Sequence, residues 1–134
     1  MHAATLLKNG KVLITGGSNT GSTNPFDSAE LYDPAQGTST TTGTMTEKRV
    51  WHTATLRQDG KVLIAGGTGG PDGSVDGLIT AELYDPTTET STAIGNMTDR
   101  RRMHTATLLT NGDVLITGGY NGSITLGSAE LFGH

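Results

Sequence analysis

The feature that most constrains this chain is a repeat of about 50 residues. The stretch HTATL begins at His52 and again at His104, and a near copy, HAATL, begins at His2. The three starts are separated by 50 and then by 52 residues. Similarity at a fixed period of this length indicates that one supersecondary unit is stacked several times. The chain is therefore expected to fold as a row of similar units rather than around one irregular core.

Each unit carries the same words in the same order. The opening word is followed by NGKVLITGG, DGKVLIAGG or NGDVLITGG, which ends in two glycines. Next comes SAELYDP, TAELYDP or SAELF, and two units add a Thr-rich segment. The second words begin at Asn9, Asp59 and Asn111, the third words at Ser28, Thr80 and Ser128, and the Thr-rich segments occupy 37–45 and 89–97.

Each word predicts a strand. KVLI and DVLI are short apolar runs without alternation, which is typical of strands buried on both faces. The Asn-Gly and Asp-Gly pairs before them predict type I′ hairpin turns. Proline cannot continue a central ladder, so Pro34 and Pro86 are expected to follow the ends of third strands. The Thr-rich segment suits an outer edge strand. With no helix pattern, the sequence predicts an all-β fold with eleven strands, four antiparallel strands in each full unit.

Four antiparallel strands in about 50 residues form the pattern of one β-propeller blade. The units resemble bacterial kelch repeats, such as those in the central domain of galactose oxidase. The resemblance implies a kelch-type propeller with about three blades on this chain: 1–51, 52–103, and 104–134 without its fourth strand. It departs from the family at Ser39 and Ser91, where a large aromatic residue is usual. The residues that carry the resemblance are the AELYD words, Arg49, Arg101, Gly16, Gly17, Gly66, Gly67, Gly118 and Gly119.

Three blades form an open arc with two uncovered faces, whereas the propellers of this family close with six or seven blades. Two explanations are open at this stage. Two chains could join head to tail into a six-bladed homodimer, because heterologous contacts that close produce rings. Alternatively, the chain is a fragment of a longer propeller. The homodimer is the favoured expectation, because the sequence begins at the start of a first strand and keeps three repeats.

The composition restricts the kinds of partner and cofactor that the chain is expected to bind. The net charge is −4 and there is no basic run, so neither nucleic acid nor a membrane surface is expected as a partner. No cysteine is present, which removes disulfides, thiolate metal sites and the Cys–Tyr copper chemistry that the resemblance to galactose oxidase would imply. No cofactor or metal is expected. No signal peptide is visible, which predicts a cytoplasmic protein if Met1 is the natural start.

A ligand is expected at one edge of the units. The loops between second and third strands, 18–27, 68–79 and 120–127, should open at the same edge as the links 46–51 and 98–103. These loops differ in length and wording while the strands barely change, and such loops are where function usually lies. The candidate ligand-binding residues are Arg49, Trp51, Asp72, Asp76, Arg100, Arg102, Tyr120 and Asn121.

Structural roles compete with functional ones at the repeated positions. His2, His52 and His104 could form a metal-binding ring, but hydrogen bonds from each ring to neighbouring backbone at a blade junction are favoured. Arg49 and Arg101 could bind an anion, but ion pairs with the partly buried glutamates of the AEL words are favoured, because buried carboxylates are normally paired. The positions assigned structural roles are His2, His52, His104, Glu30, Glu82, Glu130 and Arg101, with the six glycines named above.

The loop residues leave similar alternatives. Asp27, Asp72 and Asp76 could supply oxygen ligands to calcium, but solvated turn positions are favoured. Trp51 and Tyr120 could be exposed anchors for a sugar or a peptide. Trp51 could equally plug a blade junction.

Taken together, the sequence predicts a non-catalytic binding or scaffold propeller that recognises a protein or a glycan through its variable loops. The alternative is a sugar-modifying enzyme, an epimerase or lyase of the kelch-propeller type. No catalytic motif such as G-x-S-x-G or H-E-x-x-H supports that alternative.

Overall fold

A computed structural model describes residues 1–20, 23–70 and 74–133, and its regular structure is entirely β-strand. No helix occurs in these residues, so none of them forms a helical membrane span. The candidate Asp72 lies outside the described residues. The strands are β1 (Ala3–Leu6), β2 (Val12–Thr15), β3 (Ser18–Thr20), β4 (Thr23–Pro25), β5 (Ala29–Asp33), β6 (Thr38–Thr41), β7 (Thr53–Leu56), β8 (Val62–Ala65), β9 (Leu78–Asp85), β10 (Thr90–Arg101), β11 (Thr105–Leu108), β12 (Val114–Thr117) and β13 (Ala129–Phe132).

The strands form antiparallel sheets in which neighbours follow the chain order. The first sheet is β1-β2-β5-β6, the second is β7-β8-β9-β10 and the third is β11-β12-β13. A small hairpin, β3-β4, stands apart from them. The predicted all-β fold and its antiparallel sheets are confirmed. The Asp-Pro stops also hold, since β5 ends at Asp33 and β9 ends at Asp85.

The predicted type I′ turns are wrong. In the first turn, Gly10 N donates to Leu7 O at 3.0 Å and Leu7 N donates to Lys11 O at 2.8 Å. Gly10 has a φ of +84°, but Asn9 has no positive φ. This is a three-residue loop with a type I turn and a left-handed glycine that forms a bulge. Asn9 contributes differently: its Oδ1 accepts a bond from Lys11 N at 3.0 Å, as in an Asx turn.

Two segments contain more strand than the sequence analysis expected. The first variable loop holds the hairpin β3-β4, where the hydroxyls of Thr20 and Thr23 lie 2.7 Å apart. The fourth strand of the second sheet continues past its Thr-rich word to Arg101, which pairs with Leu78. The pairing of β10 with β9 shifts register twice, between Ala93 and Gly95 and between Asn96 and Arg101. β6, by contrast, stops at Thr41.

Two apolar clusters fill the spaces between successive sheets. Successive side chains of β8 point to opposite faces and contribute to both clusters. Val62 and Ile64 belong to the cluster shared with the first sheet, and Leu63 and Ala65 belong to the cluster shared with the third. Tyr84 is fully buried in the first cluster. Each junction therefore resembles sheet-on-sheet packing, with the second sheet covered on both faces.

The first strands of the three sheets lie side by side. β7 contacts both β1 and β11. Thr5 Oγ1 donates to Ala54 O at 3.2 Å, linking β1 to β7. Gln58 Nε2 donates to Thr110 O at 3.0 Å, linking the turns that follow β7 and β11. This row of first strands sets the order of the sheets, and the variable loops and links lie at the strand ends away from the turns that join first to second strands.

Candidate functional site

The links 46–51 and 98–103 join the sheets through backbone hydrogen bonds. Gly17 N donates to Arg49 O at 2.9 Å, and Gly67 N donates to Arg101 O at 2.8 Å. Arg102 and Tyr120 exchange backbone bonds of 3.0 Å in both directions. The links and the variable loops thus form one continuous strip, which we call the loop edge. The links and the variable loops were predicted to open at the same edge, and the backbone bonds place them side by side.

Arg49 is fully buried at this strip, and every part of its guanidinium has a partner. Its Nε donates to Glu82 Oε2 at 3.1 Å, and its Nη2 lies 3.0 Å from the same oxygen. Its Nη1 donates to the carbonyls of Gly66 at 2.9 Å and Thr80 at 3.1 Å. The Glu82 side chain is also fully buried. Arg49 therefore has no free donor for a ligand, and its surroundings fit the structural ion pair.

The rest of the link encloses the same carboxylate. Thr46 donates to Glu82 twice, from its backbone N at 2.9 Å and from its hydroxyl at 2.7 Å. Glu47 lies 3.7 Å from Arg49 Nη2 and accepts a hydrogen bond of 2.6 Å from the Thr80 hydroxyl. A Met-Thr-acidic-x-Arg segment thus wraps one glutamate with three donors. This role of the threonine was not predicted, although a threonine recurs three residues before the arginine in both links.

Arg101 repeats this arrangement in the third sheet. Its Nε donates to Glu130 at 3.0 Å, and its Nη1 donates to Gly118 O at 2.8 Å and Ser128 O at 3.1 Å. Thr98 N donates to Glu130 at 2.6 Å. Burial alone would raise the pKa of Glu130, but the bonds from Thr98, Arg101 and Asp99 outweigh it and hold that pKa below its ordinary value.

Glu30, the equivalent residue of the first sheet, has different surroundings. Its side chain is exposed, and no described residue donates a hydrogen bond to its carboxylate or forms an ion pair with it. It lies in an open groove of about 320 Å³. Of the three predicted glutamates, two are therefore in ion pairs with arginines and one is not.

The paired glycines let the links approach the sheets closely. Gly16 and Gly66 have φ values of +60° and +66°, where other residues are strained. A Cβ on Gly16 would lie 2.4 Å from Arg49 O, and one on Gly66 would lie 2.4 Å from Arg101 O. Gly118 has a similar φ of +67°, but the nearest atom to its Cβ would be 3.7 Å away. Of the first members, only Gly16 and Gly66 therefore need glycine for space, whereas at the third sheet it is the second member, Gly119, whose Cβ would lie 2.6 Å from Arg102 O. The second member of each pair, Gly17, Gly67 and Gly119, also has positive φ.

Two of the three histidines that open the repeat units are buried at junctions. His52 Nε2 lies 2.9 Å from Thr15 Oγ1, and His104 Nε2 lies 2.8 Å from Thr53 Oγ1. Burial, with a smaller contribution from the adjacent arginine, lowers the pKa of His52 to about 3 and that of His104 to about 4. Both are neutral at pH 7. Backbone partners were expected; each ring instead meets a threonine hydroxyl, and His104 has a backbone partner as well. His2 is exposed.

The threonine that meets the histidine lies on the second strand of the first sheet but on the first strand of the second sheet. Thr15 on β2 faces Ala3 on β1, whereas on the second sheet Thr53 on β7 faces Ala65 on β8. Threonine and alanine thus occupy opposite positions of the same cross-strand pair in the two sheets. Each histidine still contacts one threonine hydroxyl. On the third sheet both positions are threonine, and their hydroxyls lie 2.7 Å apart.

Four of the predicted ligand-binding residues meet in one partly exposed cluster. The Arg102 guanidinium lies 4.9 Å from the centre of the Trp51 ring and 5.0 Å from that of Tyr120. Its Nε lies 2.6 Å from Asp76 Oδ1, on a carboxylate whose side chain is 43% exposed. Trp51 has a φ of +60°, a conformation that a non-glycine residue adopts at a cost. The arginine is thus held between two aromatic rings and a carboxylate, and we call these four residues the aromatic–arginine cluster.

The other candidates lie around this cluster. Arg100 is exposed, and its Nη1 reaches Gly77 O at 3.3 Å. The Asn121 side-chain oxygen accepts bonds of 2.9 Å from the backbone N of Ser123 and of Ile124, so it closes its own turn. Asp27, considered as a calcium ligand, lines a depression of about 560 Å³ on the loop edge. Among the described residues no three His, Cys, Asp or Glu side chains are placed to hold one metal ion.

Two depressions open on the loop edge. One, of about 460 Å³, is lined by Arg102, Met103, Gly119, Tyr120 and Thr125. The other, of about 560 Å³, mixes both charge signs, with Lys48 and Arg100 facing Asp27 and Glu47. Met103 and Ile124 are 62% and 60% exposed near the first. Arginine, aromatic rings and exposed apolar side chains therefore share one surface.

No protein-family model matches the chain, and no curated protein matches it. The function of the chain is therefore inferred from the geometry of the loop edge.

Proposed function

We propose that this chain is a non-catalytic binding module that recognises a protein segment through the aromatic–arginine cluster. The observation that carries the proposal is the position of Arg102 between Trp51 and Tyr120 beside a depression on the loop edge. Tryptophan, tyrosine and arginine are the residue types that dominate binding energy at protein interfaces. Holding the guanidinium in place before binding also reduces the entropy lost on association.

The surroundings favour a partner with an apolar side chain beside a carboxylate. The exposed Met103 and Ile124 offer apolar contact, and methionine adapts its shape to a partner. Asp76 neutralises Arg102 in the free protein, so an incoming carboxylate would compete for the same guanidinium. Carboxylates near the loop edge, such as Asp76 and Glu82, act as charge partners of arginines, which supports binding rather than acid–base chemistry.

The scaffold of this proposal is a kelch-type β-propeller. Support comes from the row of first strands, in which β7 lies between β1 and β11, and from sheets that pack face to face in chain order. Radial repetition of four-stranded sheets with adjacent first strands is the propeller arrangement. The third sheet supplies three strands of its blade in the described residues.

Selection from a displayed peptide library, with the purified chain as bait, tests the binding proposal. Enriched peptides are expected to combine an apolar residue with Asp or Glu. Trp51 is the only tryptophan, so its fluorescence reports binding at the cluster directly. Arg102→Ala should weaken the selected peptides about tenfold or more, the loss of one charge-assisted contact.

Arg100→Ala is the matched control, because it removes the same charge two positions away, from a residue that lines the other depression, and it should change the affinity little. Peptides that bind Arg102→Ala as well as they bind the parent would overturn the proposal. So would a glycan array on which a sugar binds and is turned over, an outcome that favours the sugar-modifying enzyme.

A further inference from the structure

We propose that the groove at Glu30 is a binding site for an arginine-bearing Met-Thr-acidic-x-Arg segment supplied by a further repeat unit. The proposal does not depend on the aromatic–arginine cluster, which lies on other residues. It rests on a comparison within the molecule: the same receptor is built three times, and two copies hold such a segment.

The backbone of the receptor is the same in all three sheets. Gly16 N donates to Ser28 O at 3.0 Å. Gly66 N and Gly118 N donate to the equivalent carbonyls of Thr80 and Ser128 at 3.1 Å each. The register of the glutamates is also the same, since each pairs with the isoleucine of the VLI word, at Ile14, Ile64 and Ile116. The first sheet therefore presents the carbonyls and carboxylate in the arrangement that the other two use.

Each filled receptor uses these groups for one guanidinium. Arg49 binds two carbonyls, a hydroxyl on Thr80 and the carboxylate of Glu82. Arg101 binds the same set, with the Ser128 hydroxyl in place of threonine. The first sheet has Ser28 at this position, so it offers the acceptor set of the third sheet without change.

The groove around Glu30 has room for the arginine side chain of the segment. Its volume is about 320 Å³, and it is lined by Gly16, Ser28 and Glu30 together with Ile14 and Phe26. Phe26 is 41% exposed, and Ile14 is half-buried. These apolar surfaces suit the methylene stem of an arginine, whose charged end would reach the carboxylate. Arginine fits better than lysine because its planar fork can bond carbonyls and carboxylate together.

The sequence contains two Met-Thr-acidic-x-Arg segments, MTEKR and MTDRR, and both are already bound within the chain. A unit that covered Glu30 without a free segment of this kind would bury its carboxylate without a cation. Burying an unpaired carboxylate is costly. The occupant is therefore a repeat unit that brings a linking segment not already bound elsewhere.

A synthetic peptide provides the test. The probe is Thr-Met-Thr-Glu-Lys-Arg-Val, residues 44–50, with blocked ends, titrated into ¹⁵N-labelled chain and followed by two-dimensional NMR. Shifts are expected at the amides of Gly16, Ser28 and Glu30. Replacing the peptide arginine by lysine keeps the charge but should weaken binding about tenfold.

Glu30→Gln in the protein should weaken the parent peptide by a similar factor. The matched control is Glu89→Gln, an exposed substitution that changes the net charge equally and should leave the Kd within about twofold. The same spectra report whether each variant is folded. Absence of shifts at the three amides, or equal affinity for the arginine and lysine peptides, would overturn the proposal. So would equal binding to parent and Glu30→Gln.

Discussion

The central sheet and the two outer sheets are built from nearly the same words but differ in what covers them. On β8, VLIA is buried at every position, whereas VLIT is buried only at its second and fourth residues on β2 and at its first and third on β12. The two outer patterns are complementary and add up to the central one. The strand sequence thus encodes two apolar faces, and the neighbours decide which face is used.

The largest effect should separate the three glutamates. Glu82→Gln leaves a fully buried arginine without its counter-charge, so it should cost about 3–5 kcal/mol of unfolding free energy. Glu130→Gln should cost less, since that side chain is 11% exposed. Glu30→Gln should stay within about 0.5 kcal/mol. Urea unfolding of the three variants measures this order, and similar losses for all three would contradict it.

A smaller effect should separate two glycines of nearly equal φ. Gly66→Ala and Gly118→Ala both place alanine in the left-handed region, which costs about 1–2 kcal/mol. Only Gly66→Ala also forces a contact with Arg101 O, which should add about 1–3 kcal/mol. Thermal and urea unfolding compare the pair. If Gly118→Ala is the more destabilising variant, the close approach of the link is not the reason why glycine is required at position 66.

The smallest effect concerns pH at the two junctions. His52 and His104 have pKa values of about 3 and 4 in the folded protein, but titrate near 6.5 when unfolded. Below pH 6.5 the unfolded chain binds more protons, so stability falls as the pH falls. From pH 6.5 to 5.5 each histidine should cost about 1 kcal/mol. His52→Asn should flatten this slope, whatever it does to stability at pH 7; an unchanged slope would contradict the assignment.

The head-to-tail homodimer of six repeats stays a prediction, and the same comparison sharpens it. The uncovered face of the first sheet carries Val12 and Ile14, and that of the third carries Leu115, so each offers what the other lacks. Glu30 opposes closure unless the facing unit brings a cation to it. Light scattering would give a mass near twice 13.9 kDa for a dimer. Any dimer should be tighter in Glu30→Gln, since a neutral amide is less costly to bury.

Most of the strand framework could be predicted because it depends on local words. The apolar runs, the Asp-Pro stops and the Thr-rich fourth segments each correspond to strands. The turn type could not, because Asn-Gly serves both a type I′ turn and a type I turn with a left-handed glycine. The hairpin β3-β4 was also missed, since it is held by threonine side chains within a loop that has no apolar pattern.

The site was predictable in its membership but not in its arrangement. An ion pair between Arg49 and one of the glutamates was expected, but the choice of Glu82 depends on the link crossing to the next sheet. Likewise, the sequence placed Arg101 and Arg102 side by side without indicating that one is fully buried and the other is held between two rings. Such distinctions come from the packing of sheets that are distant in the sequence.

The exchange of threonine and alanine across the cross-strand pairs has a consequence for anyone who rebuilds these repeats. A consensus taken one position at a time could put alanine at both positions or threonine at both, giving the next histidine no hydroxyl or two. Copying Ala65→Thr without Thr53→Ala would give the same surplus that Thr105 and Thr117 show at the third sheet. The rule belongs to the pair, so a repeat of this kind has to be transplanted two strands at a time.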